Sequence, residues 1–169
     1  MTVSATVFDL DGTLFCLPIN WENLFQEIKR ILNVDVDRPL TEIVSKVDEQ
    51  TRIEVFRVWE DAETSIYEKA IPCEKGMSQY EKAEGKPKAL VTMQGRKIVD
   101  SLLPRFNLFF DVIITRDNSL NRAEQLKMAS QKLNVPLNEI LFVGNANSDE
   151  EASEKVGCQF TRIKTPAFT

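Results

Sequence analysis

The chain has 169 residues, carries a net charge of −5 and contains no histidine. This length suits one domain with a modest insertion. The lack of histidine excludes a Ser-His-Asp triad, a Cys-His dyad and a His-ligated zinc site. The acidic balance argues against nucleic acid or an anionic membrane as the main partner, because both attract clustered cations.

The first part of the chain combines one strand with a long helical stretch. Residues 3–8 are apolar and β-branched and run into a polar segment, 9–13, which predicts a buried strand that ends in a turn. Between residues 17 and 72 the apolar residues recur at helical spacing, so we predict helices and no strand. The three helices expected there begin after Asn20, at Pro39 and at about Thr51, the last running to Ile71 and ending at Pro72.

The second part alternates strands with helices, which implies a parallel sheet with right-handed crossovers. We therefore predict an α/β fold, a Rossmann-like parallel sheet flanked by helices, with a core of residues 1–16 and 76–169 and a small all-helical cap of residues 17–75. The strands are expected at 88–92, 111–115, 140–143 and 159–163. The helices are expected at 94–103, stopped by Pro104, at 121–133, and from a Ser148/Glu151 capping box to Gly157.

Polar residues follow the predicted strands, at the edge where parallel sheets place their ligand sites. The segments concerned are 9–13, 92–94, 115–117 and 145–149. Asp9 and Asp11 are two residues apart in extended chain, so their side chains point the same way. Two converging carboxylates are costly unless a cation holds them. With oxygens of Asn145 and Asp149 from another strand, they favour a Mg²⁺ site.

These residues carry a resemblance to a known family. Asp9-Leu10-Asp11-Gly12-Thr13-Leu14 resembles the first signature of the haloacid dehalogenase superfamily of phosphatases, DxDGTL. Thr92, which ends Leu-Val-Thr, is similar to the second signature, and Gly144-Asn145-Ala146-Asn147-Ser148-Asp149 is similar to the fourth, GDxxxD. The resemblance covers about residues 1–16 and 76–165, and the helical segment lies where that family inserts its cap.

The resemblance implies a Mg²⁺-dependent, phosphoglycolate phosphatase-like enzyme that acts on a small phosphorylated metabolite. Asp9 would be the nucleophile that forms an aspartyl-phosphate, Asp11 the general acid and base, and Thr92 a donor to a phosphoryl oxygen. Asp9, Asp11, Asn145 and Asp149 would hold the Mg²⁺. Further substrate contacts are expected from Gly12, Thr13, Met93 and Gln94.

Two positions depart from the family pattern. Asn145 stands where the family usually has Asp, which removes a negative charge and should weaken metal binding. The third signature, a Lys that clamps the nucleophile and the phosphate, is absent, and alignment on the following helix places it near Asn121 or Arg122. Arg122 is our candidate for this charge, with Lys127 as the alternative.

Other functions remain open at this stage. The altered positions are compatible with a binding or regulatory protein on a catalytically weakened scaffold. A phospho-acceptor receiver domain shares some of the features, but the long separation of Asp11 and Thr92 argues against it. Halide displacement, also known in the superfamily, needs no Mg²⁺, so the acidic residues favour phosphate.

The remaining signals are weaker. We expect four aromatic residues to form the core of the helical segment, and three residues after the first turn to lie where they could line a pocket. Three separated cysteines without a CxxC motif predict free thiols, and with no signal peptide or long apolar run they favour a cytoplasmic protein. The sequence does not indicate an oligomeric state. The aromatic residues are Trp21, Phe25, Phe56 and Trp59, the pocket candidates Phe15, Cys16 and Leu17, and the cysteines Cys16, Cys73 and Cys158.

Overall fold

The computed structural model of the protein describes residues 2–35 and 39–165, so the outer limits of the predicted core, 1 and 166–169, lie outside the described residues. Within these ranges the chain forms seven strands and seven α-helices. The strands are β1 (Ala5–Phe8), β2 (Phe15–Cys16), β3 (Ile71–Pro72), β4 (Lys88–Val91), β5 (Val112–Ile114), β6 (Ile140–Gly144) and β7 (Gln159–Arg162). The helices are α1 (Trp21–Leu32), α2 (Leu40–Val44), α3 (Glu49–Thr64), α4 (Glu74–Lys82), α5 (Arg96–Arg105), α6 (Arg122–Leu133) and α7 (Asn147–Val156).

A five-stranded parallel sheet with strand order β5-β4-β1-β6-β7 forms the centre of the molecule. The strands β1, β4, β5 and β6 are largely apolar because helices cover both faces, whereas the edge strand β7 is mostly polar and half-buried. Val7 points towards α6, among buried residues such as Leu126, whereas Phe8 points towards the opposite face and α5, among residues such as Leu102. The predicted α/β class with a parallel sheet is confirmed.

The residues between β2 and β3 form what we call the helical insertion. It contains α1, α2 and α3, of which α1 and α3 pack against each other, while α3 also packs on α5 of the core. β2 and β3 pair in antiparallel fashion, with Phe15 opposite Pro72, so the chain enters and leaves the insertion at adjacent points. The insertion shares one continuous apolar cluster with the face of the sheet that carries α5.

Three predicted helix boundaries are wrong. α3 ends at Thr64 and is followed by a 3₁₀ turn and β3. At its end the hydroxyls of Thr64 and Ser65 donate to the carbonyls of Glu60 and Ala62, contacts that weaken a helix. α5 continues one residue beyond Pro104. α7 begins at Asn147, not at a Ser148/Glu151 capping box.

Three elements were not anticipated from the sequence. β2 follows the predicted first turn, β3 lies in the stretch for which we predicted no strand, and α4 lies in a polar segment without a clear apolar stripe. Phe25, expected in the core of the insertion, is 40% exposed. Among the described residues, no helix combines the length and apolarity needed to cross a membrane.

Candidate active site

The polar residues selected from the sequence lie at the carboxyl edge of the sheet, on the loops that follow β1, β4 and β6. Asp9, Thr92 and Asp149 are at most 5% exposed. Asp9 directly follows β1, Thr92 directly follows β4, and Asp149 lies in the first turn of α7. Three separate segments therefore bring buried polar groups to one end of the sheet.

Arg122, the first residue of α6, joins two of these carboxylates. Its Nη2 donates to Asp9 Oδ1 over 2.9 Å and its Nε donates to Asp149 Oδ1 over 3.0 Å. Asn121 caps the helix, because its side-chain oxygen accepts the backbone N–H of Glu124 at 3.1 Å. The alternative cation, Lys127, points to solvent and pairs with Glu124 on its own helix. Arg122 is thus the cation that contacts the predicted nucleophile.

Gln125, which the sequence analysis did not select, connects Arg122 to Thr92. Its side chain is fully buried, its Oε1 accepts from Arg122 Nη1 at 2.8 Å, and its Nε2 donates to the carbonyl of Thr92 at 2.9 Å. The hydroxyl of Thr92 donates to Gln94 Oε1 at 2.8 Å and accepts the backbone N–H of Gln94 at 3.0 Å. A continuous hydrogen-bond chain therefore runs from Asp9 to Thr92.

Gly12 allows the loop after β1 to approach the loop after β6. It adopts a φ of 77°, which side chains rarely tolerate, and a Cβ there would lie 2.1 Å from Asn145 Nδ2. The hydroxyl of Thr13 lies 3.4 Å from Asp9 Oδ2 and 3.5 Å from Asn145 Oδ1. The short turn thus holds the Asp9 carboxylate and the Asn145 amide beside each other.

Burial dominates the electrostatics of the first two carboxyl groups. It raises the pKa of Asp9 to about 7, although the guanidinium of Arg122 acts in the opposite direction. It raises the pKa of Asp11 to about 6, against the lowering effect of the backbone N–H groups of Leu17 and Gly12. Both carboxyls therefore hold protons at a pH where exposed aspartates have lost them.

The charges of this cluster fit a divalent cation. The carboxylates of Asp9, Asp11 and Asp149 carry three negative charges when ionised, and Arg122 supplies one positive charge. Asp149 also accepts the backbone N–H groups of Asn145 and Ala146 through Oδ2, so both of its oxygens have donors. The described residues contain no group of three acidic or thiol side chains already gathered for a metal. The oxygens best suited to Mg²⁺ are those of Asp9 and Asn145.

Site residues line two cavities between the core and the helical insertion. One, of about 540 Å³, is lined by Asp11, Gly12, Asn145, Cys16 of β2, and residues at the start of the insertion such as Leu17 and Trp21. The other, of about 580 Å³, includes Met93 and Arg122 together with α2 residues such as Glu42. Of the three pocket candidates, Phe15 is fully buried and packs on Phe106 instead.

The cysteines are free thiols, as predicted. Cys16 and Cys73 lie on the two chain segments that join the core to the insertion, with their sulfurs 3.0 Å apart. Burial raises the pKa of Cys73, and it raises the pKa of Cys158 to about 11, so both are neutral near pH 7. Cys16 and Cys73 act as small buried groups in this environment.

A buried ion pair that was not predicted lies beside Thr92. Arg116 is the second residue after β5. It pairs with Glu63 of α3, and both side chains are essentially inaccessible to solvent. Phe56 and Trp59, expected simply to fill the core of the insertion, lie with their rings 5.4 and 4.7 Å from the guanidinium. The sequence could have indicated Arg116, because it lies in the polar segment 115–117 at the end of a predicted strand. Nothing in the sequence distinguished Glu63 from other helical glutamates.

Comparisons with known proteins find a matching family model and solved structures of similar fold. The family model described as haloacid dehalogenase-like hydrolase matches residues 6–163. Among solved structures, a haloacid dehalogenase-like family hydrolase from Streptococcus pneumoniae has 18% identity and a TM-score of 0.69, with 96% of this chain and 85% of that chain covered. A search of curated proteins finds no match.

Two further solved structures are similar. A subfamily IA hydrolase of the haloacid dehalogenase superfamily from Geobacter sulfurreducens has 19% identity and a TM-score of 0.64, covering 98% of this chain and 91% of that chain. CbbY from Rhodobacter sphaeroides, solved in complex with phosphate, has 19% identity and a TM-score of 0.63, covering 94% and 85%. At these identities the structures support a shared fold.

Proposed function

Because the chain belongs to the haloacid dehalogenase-like hydrolase family, we propose that it is a Mg²⁺-dependent phosphatase that hydrolyses a small phosphate monoester. The observation that carries the proposal is the contact of Asp9 with Arg122, which is linked through Gln125 to Thr92. This arrangement provides a carboxylate nucleophile with a cation and a hydroxyl close to the place a phosphoryl group would occupy.

In the proposed reaction, an oxygen of Asp9 attacks phosphorus in line with the leaving alkoxide and forms an aspartyl-phosphate. Asp11, whose pKa burial raises to about 6, donates its proton to the leaving oxygen and then accepts one from the attacking water. Arg122 binds a phosphoryl oxygen, and the hydroxyl of Thr92, which donates to Gln94 Oε1 in this structure, turns to donate to another. Gly12, Thr13, Met93 and Gln94 shape the surroundings.

Mg²⁺ would be held by the Asp9 carboxylate, the Asp11 backbone carbonyl and the Asn145 side chain, and it would offset the charge between nucleophile and phosphoryl group. In this proposal Asp149 acts mainly through Arg122, because its oxygens already accept the guanidinium and two backbone N–H groups. Asp149 orients the cation, and the cation orients Asp9.

We further propose that the helical insertion serves as a cap and that the domain boundaries lie near residues 17 and 75. The cavity beside Asp11 is walled partly by Leu17 and Trp21, so residues of the insertion would contact the leaving group of the substrate. The cavity volume of about 540 Å³ suits a small metabolite.

The test is release of inorganic phosphate from p-nitrophenyl phosphate and from a panel of sugar and carboxylic-acid phosphates, with and without Mg²⁺. We expect Mg²⁺-dependent turnover that Asp9→Asn abolishes while the protein stays folded by circular dichroism. Absence of turnover by folded protein across the panel, with phosphate still bound, would instead favour the binding or regulatory function.

A further inference from the structure

The buried pair of Glu63 and Arg116 lies next to the loop that carries Thr92. Glu63 belongs to the helical insertion, whereas Arg116 belongs to the core, so the pair crosses the boundary between them. The guanidinium contacts the carboxylate through Nη1–Oε1 and through Nη2–Oε2, the latter at 3.3 Å. The two side chains are 0% and 1% exposed.

Each of the three residues after Thr92 has one backbone polar group bound by this pair. The carbonyl of Met93 accepts from Arg116 Nη1 at 3.2 Å, and the carbonyl of Gln94 accepts from the Arg116 backbone N–H at 3.3 Å. The N–H of Gly95 donates to the Glu63 carboxylate at 3.3 Å. Gln94 in turn contacts the hydroxyl of Thr92 through its amide oxygen and its backbone N–H.

A buried ion pair stabilises a contact between two surfaces less effectively than its charges suggest, because both charges lose their hydration when they are buried. Apolar residues of similar volume often stabilise such a contact at least as well. Arg116 Nε and Trp59 Nε1 are also buried without a hydrogen-bond partner. Apolar residues, however, could not form the hydrogen bonds that Glu63 and Arg116 make with the Thr92 loop.

Gly95 leaves room for the pair because it has no side chain. It is the N-cap residue of α5, and a Cβ at this position would lie 2.7 Å from Arg116 Nη2 and 3.3 Å from Glu63 Oε2. Glu63 therefore places its negative charge at the N-terminus of α5, where a carboxylate is favourable. A carboxylate from one part of the fold thus caps a helix of another.

We infer that Glu63 is a positioning residue through which the helical insertion holds the Thr92 loop, residues 92–95, in the geometry that binds phosphate. This inference rests on the proposed function, since the loop's ligand is the phosphoryl group. Movement of α3 away from the core would withdraw the Glu63 carboxylate and leave Arg116 buried without its counter-ion, so docking of the insertion and order in the loop are coupled.

The test compares Glu63→Gln with Glu60→Gln. Glu60 is a matched control because it also lies on α3 and pairs across to α5, with Lys97 at 3.3 Å, but both side chains are exposed. Two quantities are measured: amide hydrogen exchange of Gly95, and the affinity of inorganic phosphate as a ligand. For Glu63→Gln we expect roughly tenfold faster exchange and roughly tenfold weaker phosphate binding, the effect of losing a charged hydrogen bond. Glu60→Gln should change neither.

The double variant Glu63→Met/Arg116→Met separates positioning from simple stabilisation. It replaces the charges with apolar side chains, so the protein should fold with a stability similar to that of the wild type. If the pair positions the loop, the double variant will show the same fast Gly95 exchange and weak phosphate binding as Glu63→Gln, although it is as stable as the wild type. The inference would be overturned if folded Glu63→Gln, or the double variant, exchanged the Gly95 amide and bound phosphate as the wild type does. Hydrogen exchange needs no turnover, so this outcome is distinct from failure of the proposed phosphatase.

Discussion

Arg122 Nη2 donates to Asp9 Oδ1 across 2.9 Å, which places a guanidinium directly against the carboxylate that we propose as the nucleophile. The same guanidinium contacts Asp149, so it is held by two carboxylates at once. A planar cation with several donors suits this bridging geometry better than an ammonium group, which acts as a point charge. In our proposal, Arg122 provides the positive charge that the family's lysine signature would supply.

Arg122→Met should lower kcat/KM for phosphate ester hydrolysis by about 10²–10³-fold, because it removes a donor to the charge that develops in the transition state. Arg122→Lys should retain part of this activity. Lys127→Met is the control from the same helix, and it should have little effect because Lys127 pairs with Glu124 on the exposed surface. Equal losses for the two methionine variants would contradict the role of Arg122.

Asn145→Asp should tighten the binding of Mg²⁺, since it adds a negative charge beside Asp9 and makes the fourth signature complete. The Mg²⁺ concentration for half-maximal activity should fall by roughly tenfold. Asn147→Asp adds the same charge two residues away at an exposed position and should leave this concentration unchanged. If Asn147→Asp lowers the Mg²⁺ concentration for half-maximal activity as much as Asn145→Asp does, or more, then Asn145 is not a metal ligand.

The metal-free protein should lose stability as the pH rises from about 4 to about 7. Burial raises the pKa values of Asp9 and Asp11 to about 7 and about 6, so in this range the folded state binds protons that the unfolded state has released. The measurement is thermal unfolding in EDTA. Asp9→Asn should make the dependence shallower and raise the Tm near pH 8, and Mg²⁺ should stabilise the wild type there. A wild-type Tm that rises over this range would contradict the raised pKa values.

Gly12→Ala should disrupt the loop after β1, whereas Gly85→Ala should not. Both glycines have positive φ, 77° and 80°, so both substitutions carry a strain of about 1 kcal/mol or more. A Cβ at Gly85 meets nothing within 4 Å, but a Cβ at Gly12 would lie 2.1 Å from Asn145 Nδ2. Denaturant unfolding should show a larger loss for Gly12→Ala, and activity should fall for that variant alone.

Local patterns predicted much of the fold because they report which face of each element is buried. The alternation of apolar strands and helices after residue 88 indicated the parallel sheet, and every strand expected there is present with small shifts at its ends. At the end of α3, where the predicted boundary failed, the hydroxyls of Thr64 and Ser65 donate to helix carbonyls, and no periodicity in the sequence signals these contacts.

The candidate site was predictable where one segment carried several polar residues in a characteristic order. Asp9, Asp11 and Asp149 were selected in this way. Arg122 was selected because alignment on the following helix places the family's lysine signature near Asn121 or Arg122. Gln125 was missed because a glutamine on a helix is ordinarily a surface residue. Its role depends on burial between Arg122 and the Thr92 carbonyl, which is a property of packing.

By itself, the sequence determined the α/β class, the polar edge of the sheet and the residues gathered there, because strand and helix periodicity and the order of parallel strand ends are local properties of the chain. The tertiary structure decided which cation meets Asp9 and how the helical insertion contacts the Thr92 loop. Those contacts join residues such as Glu63 and Arg116, which are 53 positions apart. Their energies depend on burial and on exact donor–acceptor distances, and both exist only once the chain has folded.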